Sequence, residues 1–131
     1  MGYLFDASAV YAIIKAGKTR LLILNNTCDL ARYELGNILL TERNIRKTMG
    51  ESEQKFLLNA IAQSLNFMNK IDVEENEQGI IDLAIKYNLS FYDASYAYLA
   101  KKNGSVLVTE DSKLATKIKS YTGVTTAADL I

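Results

Sequence analysis

The run Val106-Leu107-Val108 is continuously apolar, without the apolar–polar alternation of a strand that keeps one face in water. Tyr3-Leu4-Phe5 is of the same kind. A strand without alternation must be covered on both faces, so it asks for a layer on each side of its sheet. The rest of the chain supplies such layers, because apolar residues recur at helical spacing through most of it. The expectation is an α/β fold with a small, mostly parallel sheet flanked by helices on both faces.

The elements can be placed in order. A strand over residues 3–5 ends at Asp6, and a helix over 7–15 carries Val10, Ile13 and Ile14 and stops at Gly17. Residues 21–24 are ambiguous between a short helix and a strand, and 27–31 form the next strand candidate. From Arg32 the pattern is helical, with Tyr33, Leu35, Ile38, Leu39 and Ile45 as its apolar face, until Gly50. A second long helix is expected over 52–69, with Phe56, Leu57, Ala60, Ile61, Ser64, Leu65 and Met68 recurring at i, i+3, i+4. Residues 71–73 are a short strand candidate. The helix over 75–87 turns Ile80, Ile81, Ala84 and Ile85 inward and closes on Asn88, a residue suited to the left-handed conformation. A further helix runs from Ser90 to about Lys102 and stops at Asn103-Gly104; a strand over 106–109, a helix over 111–120, a last strand at 124–125 and a tail complete the chain. The 131 residues read as one domain, with no Pro-, Gly- or Ser-rich linker and no repeat.

Composition narrows the chemistry. There is no histidine, which excludes His-based triads and zinc sites that need imidazole. The single Cys28 cannot form an intrachain disulfide, which suits a reducing compartment. Lys plus Arg equals Asp plus Glu at 15 each, so the formal net charge is zero and no broad basic surface for nucleic acid is in view. No apolar run reaches a membrane span and no signal-like start is visible, so the expectation is a soluble cytoplasmic protein.

Four acids fall where such a sheet would gather them. In open parallel sheets, ligands bind outside the carboxyl ends of the strands. Asp6 and Asp111 follow apolar strands, while Glu34 and Asp93 lie in first helical turns. Each is equally read as a local feature: Asp6 and Asp111 as N-caps, Asp93 as the acid of a capping box with Ser90, Glu34 as a charge that suits a helix N-terminus. Together, four carboxylates at one rim would repel and be costly to desolvate, and a divalent cation resolves both problems. All-oxygen donors suit Mg²⁺ or Mn²⁺, and such a site can activate water for phosphodiester cleavage. Ser8 and Thr109 stand two residues from Asp6 and Asp111, as supports for the carboxylates or as partners of nearby backbone.

These residues form an ordered set. Phe5-Asp6-Ala7-Ser8-Ala9, Tyr33-Glu34-Leu35-Gly36-Asn37, Tyr92-Asp93-Ala94-Ser95-Tyr96 and Val108-Thr109-Glu110-Asp111 resemble, in order and spacing, the four motifs of the PIN-domain family, and the match spans essentially the whole chain. Its size is similar to that of VapC-type toxins of prokaryotic toxin–antitoxin pairs. The resemblance implies a parallel five-stranded sheet and Mg²⁺- or Mn²⁺-dependent endonucleolytic cleavage of RNA. It implies Asp6, Glu34, Asp93 and Asp111 as the acidic metal site, with Ser8, Asn37 and Thr109 in support, and leaves Glu110 aside because its strand parity points it away. It also implies a homodimer and an antitoxin protein that blocks the site.

Other features carry competing readings. Asp72, Glu74, Glu75 and Glu77 form a denser acidic cluster, read as the decoration of a helix N-terminus. Tyr33, Tyr92, Tyr96 and Tyr98 lie near the motifs and either stack on bases or pack in the core, with the i, i+4 pair Tyr92 and Tyr96 read as core. Lys15, Lys18, Arg20, Lys101, Lys102 and Lys113 are candidate phosphate contacts or plain surface charges. Two rival functions stay open: a phosphatase that uses Asp6 as nucleophile, whose pattern has an acid where Ser8 stands, and a non-catalytic module that keeps the fold and binds protein or RNA.

Overall fold

Five short strands form one sheet in the order β3-β2-β1-β4-β5, and every neighbouring pair is parallel. The computed structural model describes residues 2–131. The strands are β1 (Tyr3–Phe5), β2 (Asn26–Cys28), β3 (Asn69–Ile71), β4 (Val106–Val108) and β5 (Val124–Thr125). The helices are α1 (Ala7–Lys15), α2 (Ala31–Leu40), α3 (Glu51–Asn66), α4 (Glu77–Tyr87), α5 (Phe91–Lys102), α6 (Ser112–Ile118) and α7 (Ala127–Leu130). The α/β expectation, with helices on both faces of a five-stranded sheet, holds.

The absence of alternation in β1 and β4 now has its cause. Phe5 and Val108 pack into one apolar layer with α1, α2 and α3, while Leu4, Leu107 and Cys28 pack into the opposite layer with α4, α5 and α6. These central strands have no solvent face, so no position on them is left for a polar side chain. Gly17 and Gly104 sit at positive φ where α1 and α5 end, and Asn88 closes α4 in the left-handed conformation. Gly79 has a packing role instead: a Cβ there would lie 2.6 Å from the Tyr98 hydroxyl, so the missing side chain lets α4 settle on α5.

Several boundaries and faces differ from expectation. The strand candidate at 71–73 is realised two residues earlier, as Asn69–Ile71, because β3 is an edge strand paired in register with Asn26–Cys28 and carries no apolar signature. The candidate at 27–31 shortens to Asn26–Cys28, and of residues 21–24 Leu21 ends a 3₁₀ turn at Thr19–Leu21 while 22–24 are a turn without a strand. In α2 the buried face runs through Ala31, Leu35 and Leu39, which leaves Tyr33 exposed. Ile45 is also exposed, because a π-helical turn at Thr41–Ile45 shifts the helical phase. Phe56 faces outward from α3. In α4 the inward stripe is Ile80, Leu83, Ala84 and Tyr87, while Ile81 and Ile85 point to solvent. Two apolar stripes overlap on that helix, and only its seat on α5 selects between them. Among the described residues, no helix is long and apolar enough to cross a membrane.

Candidate active site

Asp6 sits where β1 becomes α1. Its amide still donates to the Val108 carbonyl, extending the sheet pairing by one residue, while its side chain caps the helix. Oδ1 accepts from the Ala9 amide at 2.9 Å and from the Ser8 hydroxyl at 2.7 Å. Oδ2 accepts from the Thr109 hydroxyl. Ser8 Oγ in turn accepts from the Glu110 amide at 3.0 Å, and Thr109 Oγ1 from the Asp111 amide at 3.1 Å. Two short hydroxyls thereby tie the loop after β1 to the loop after β4. Asp111 caps α6, its Oδ1 accepting from the amides of Lys113 and Leu114 at 2.9 and 3.1 Å. The capping readings of Asp6 and Asp111 are therefore correct, and they do not compete with a role in a site.

Glu34 and Asp93 arrive from the other two segments. Glu34 lies in the first turn of α2, and Asp93 in the first turn of α5, where Ser90 caps the helix by accepting from the Asp93 amide at 3.0 Å. All four carboxylates line one cavity of about 640 Å³, together with Ser8, Asn37, Leu30, Ile38, Tyr33, Tyr92 and Tyr96. Thr109 lies behind Asp6 as a buried support. Glu110 is absent from the lining; its carboxylate turns away to accept from the Ala127 amide at the start of α7, as strand parity requires. The i, i+4 reading of Tyr92 and Tyr96 as two core residues is half right. Tyr92 is 61% exposed at the cavity rim, whereas Tyr96 is 1% exposed.

Tyr96 is the residue that the sequence concealed. Its phenol donates to Glu34 Oε1 at 2.6 Å, so a core residue of α5 orients an acid of α2. Burial pushes the phenol well above its ordinary range, so it remains a donor at any working pH. Lys117 was also overlooked: it lowers the Asp93 carboxyl by its charge, while its ammonium donates to the Asn88 carbonyl at 2.9 Å. Of the lysines singled out from sequence, Lys101 binds the Tyr121 carbonyl and ring and Lys102 binds Asn76, away from the cavity. No lysine or arginine is among the lining residues.

The electrostatics follow from burial and mutual repulsion. Burial raises the Asp6 carboxyl above its ordinary value against its hydrogen bonds to Thr109, Ser8 and Ala9, and the Asp93 charge adds to the rise. Glu34 is raised by burial, lowered by the Tyr96 bond, and raised again by Asp6 and Asp93. Asp93 is raised by burial and by Asp111, and held back by Ser90 and Lys117. Positive charge in the cavity would relieve all three. Cys28 is no alternative nucleophile, since burial pushes its thiol up to about 12.

The donor set suits a hard divalent cation. A carboxylate offers about four lone pairs, and Asp6 uses three of them on Ser8, Ala9 and Thr109. Glu34 uses only Oε1 and Asp111 only Oδ1, while no backbone amide among the described residues donates to the Asp93 side chain. Each acid therefore keeps oxygen capacity toward the cavity. Among the described residues, no three of these groups converge closely enough to ligate a single ion as they stand. The chemistry of the donors fits Mg²⁺ or Mn²⁺.

No protein-family model matches the chain. It is 33% identical over 130 residues to Exonuclease VapC9 of Pyrobaculum aerophilum, covering 95% of this chain and 91% of the relative. It is 33% identical over 92 residues to Ribonuclease VapC3 of the same organism, covering 70% of each. The fold is similar to the crystal structure of a Pyrobaculum aerophilum protein, with a TM-score of 0.79, 30% identity and coverage of 99% of this chain and 93% of that one. A toxin–antitoxin complex from Klebsiella pneumoniae contains a chain with the same fold at a TM-score of 0.60 and 16% identity, covering 96% of this chain and 98% of that one. With its four acidic motifs in order and its sheet in place, the chain belongs to the VapC family of PIN-domain proteins.

Proposed function

We propose that this chain is a divalent-metal-dependent endoribonuclease, the toxin of a toxin–antitoxin pair. The observation that carries the reading is the convergence of Asp6, Glu34, Asp93 and Asp111, from four separate segments, on one cavity where three of them are raised above their ordinary carboxyl values. Held by these four acids, Mg²⁺ or Mn²⁺ would supply charge neutralisation and activation of water at the scissile phosphate. Asp6 is fixed by Ser8, Thr109 and the start of α1, so its remaining oxygen is presented in one direction. Tyr96 fixes Glu34 in the same way. Asp93 accepts no backbone bond among the described residues and its carboxyl is raised by burial and by Asp111, which suits it to orient the attacking water and take its proton. Asn37, on the cavity wall, would donate to a phosphate oxygen.

One relative is named a ribonuclease and the other an exonuclease, which together support a nuclease. Cleavage within the strand is the mode proposed here. A circular single-stranded RNA has no end to attack, so it separates the two modes. Linearisation of the circle in Mn²⁺ or Mg²⁺, abolished by EDTA and lost in Asp93→Asn, is the expected result. A circle that stays intact while the linear form is degraded would replace it with attack at a chain end. Intact RNA of both forms would favour the non-catalytic rival. The proposed partners are an antitoxin that covers the cavity and a second copy of this chain. The exposed Leu40, Phe56 and Leu58 offer apolar surface for such contacts, and light scattering of the purified chain at two concentrations tests the dimer.

A further inference from the structure

The eight tyrosines divide in a way that their sequence does not announce. Tyr96 is in the core, and Tyr3, Tyr11, Tyr87, Tyr98 and Tyr121 all pack against one of the two apolar layers. The two that remain, Tyr33 and Tyr92, pack against neither, and both line the acidic cavity. They are 83% and 61% exposed. Each occupies the first turn of its helix, and each immediately precedes a cavity carboxylate: Tyr33 before Glu34 on α2, and Tyr92 before Asp93 on α5. Two bare aromatic rings thus border the place where a phosphodiester would be cut.

The same rim is without lysine and arginine, and the chain as a whole is neutral. Lys117 reaches Asp93 by its charge but does not line the cavity, so phosphate neutralisation by side chains, the usual source of nucleic-acid affinity, is not provided by the lining. Aromatic faces provide a different source, since every base has a π-face and an unpaired base can leave its strand to stack on a ring. A base inside a duplex has both faces already occupied. Resting on the nuclease reading above, we infer that Tyr33 and Tyr92 are stacking platforms for unpaired bases beside the scissile phosphate, which hold the RNA by stacking more than by charge.

The chain contains no tryptophan, so an indole introduced at either position is a unique fluorophore. Tyr33→Trp and Tyr92→Trp proteins are mixed in Mg²⁺ with a mixed-sequence single-stranded RNA and, separately, with its duplex; quenching on mixing and cleavage are recorded together. Quenching by the single strand and not by the duplex is expected. It should weaken little between 50 and 200 mM salt, in contrast to a phosphate-driven binder. Tyr33→Ala and Tyr92→Ala should each raise KM by roughly 5- to 150-fold with kcat little changed, and the corresponding phenylalanine variants should recover the loss. Cleavage with no quenching and unaltered alanine variants would overturn the stacking rim and leave the nuclease standing. Quenching in a protein that cleaves nothing would uphold the rim and remove the nuclease. Neither quenching nor cleavage would overturn both and return the rim to a protein partner.

Discussion

Two acid-rich clefts lie side by side in this molecule, sharing Leu30 and Tyr92 in their walls. The first holds Asp6, Glu34, Asp93 and Asp111; the second holds Asp29, Asp72, Glu74 and Glu77. In the sequence the second is the denser, with three of its acids within six residues. In the structure it is the weaker candidate. Its acids sit on exposed turns and at the start of α4, where water and the helix N-terminus accommodate their charge. The first draws one acid from each of four segments, burying Asp6 and half-burying Glu34 and Asp93, so that desolvation and like charge raise those three together. The difference teaches that acids close in sequence are usually solvated together, whereas acids brought together by a fold against their repulsion need a reason to be there.

The largest expected contrast is in catalysis. Asp93→Asn should lower RNA cleavage by more than about 100-fold, beyond what loss of an outer partner costs, while Glu77→Gln in the second cleft should leave the rate within twofold. A comparable loss from Glu77→Gln, read in the same cleavage assay, would erase the distinction between the clefts.

Tyr96→Phe comes next. Losing the phenol that orients Glu34 should cost roughly 10- to 100-fold in metal affinity or activity, with the fold intact because the ring stays in the core. Metal titration of the variant, with circular dichroism as the control for folding, reads this directly.

The pH dependence of stability is smaller. Asp6, Glu34 and Asp93 are raised in the folded state, so their contribution to stability is present at acid pH, below the unfolded values near 4, and is lost as pH rises through the folded values. In EDTA, the stability of Asp93→Asn relative to the parent should therefore increase from pH 4 to pH 7, measured by urea denaturation. A gap that narrows over that range would contradict the assignment of repulsion to this cleft. In the second cleft, Glu74→Gln should change stability by less than about 0.5 kcal/mol at any of these pH values.

How far the sequence could lead is seen at particular residues. The buried strands Tyr3–Phe5 and Val106–Val108 were legible because both of their faces are covered, which removes alternation. Asp6, Ser8, Thr109 and Asp111 were legible because they follow those strands directly. Edge strand β3 was placed two residues late because its side chains are largely exposed and its existence depends on pairing with β2. The inward stripe of α4 was misassigned because two apolar stripes overlap, and the close approach at Gly79 decides between them. Tyr96 escaped because an i, i+4 aromatic pattern records which face is apolar but not where a hydroxyl at its edge points, and that hydroxyl meets a residue 62 positions away. Likewise, nothing local distinguishes Tyr33 from the core tyrosines; its exposure is a property of where α2 sits.

The central claim is that the first cleft, and not the second, is a divalent-cation site. Mn²⁺ soaked into crystals of the protein and located by its anomalous scattering tests this most directly. The expected result is a peak within about 2.1–2.3 Å of carboxylate oxygens from Asp6 and at least one of Glu34, Asp93 and Asp111, with the side chains drawn inward. A peak confined to Asp72, Glu74 and Glu77, or a cleft that takes up no manganese at millimolar concentration, would contradict it.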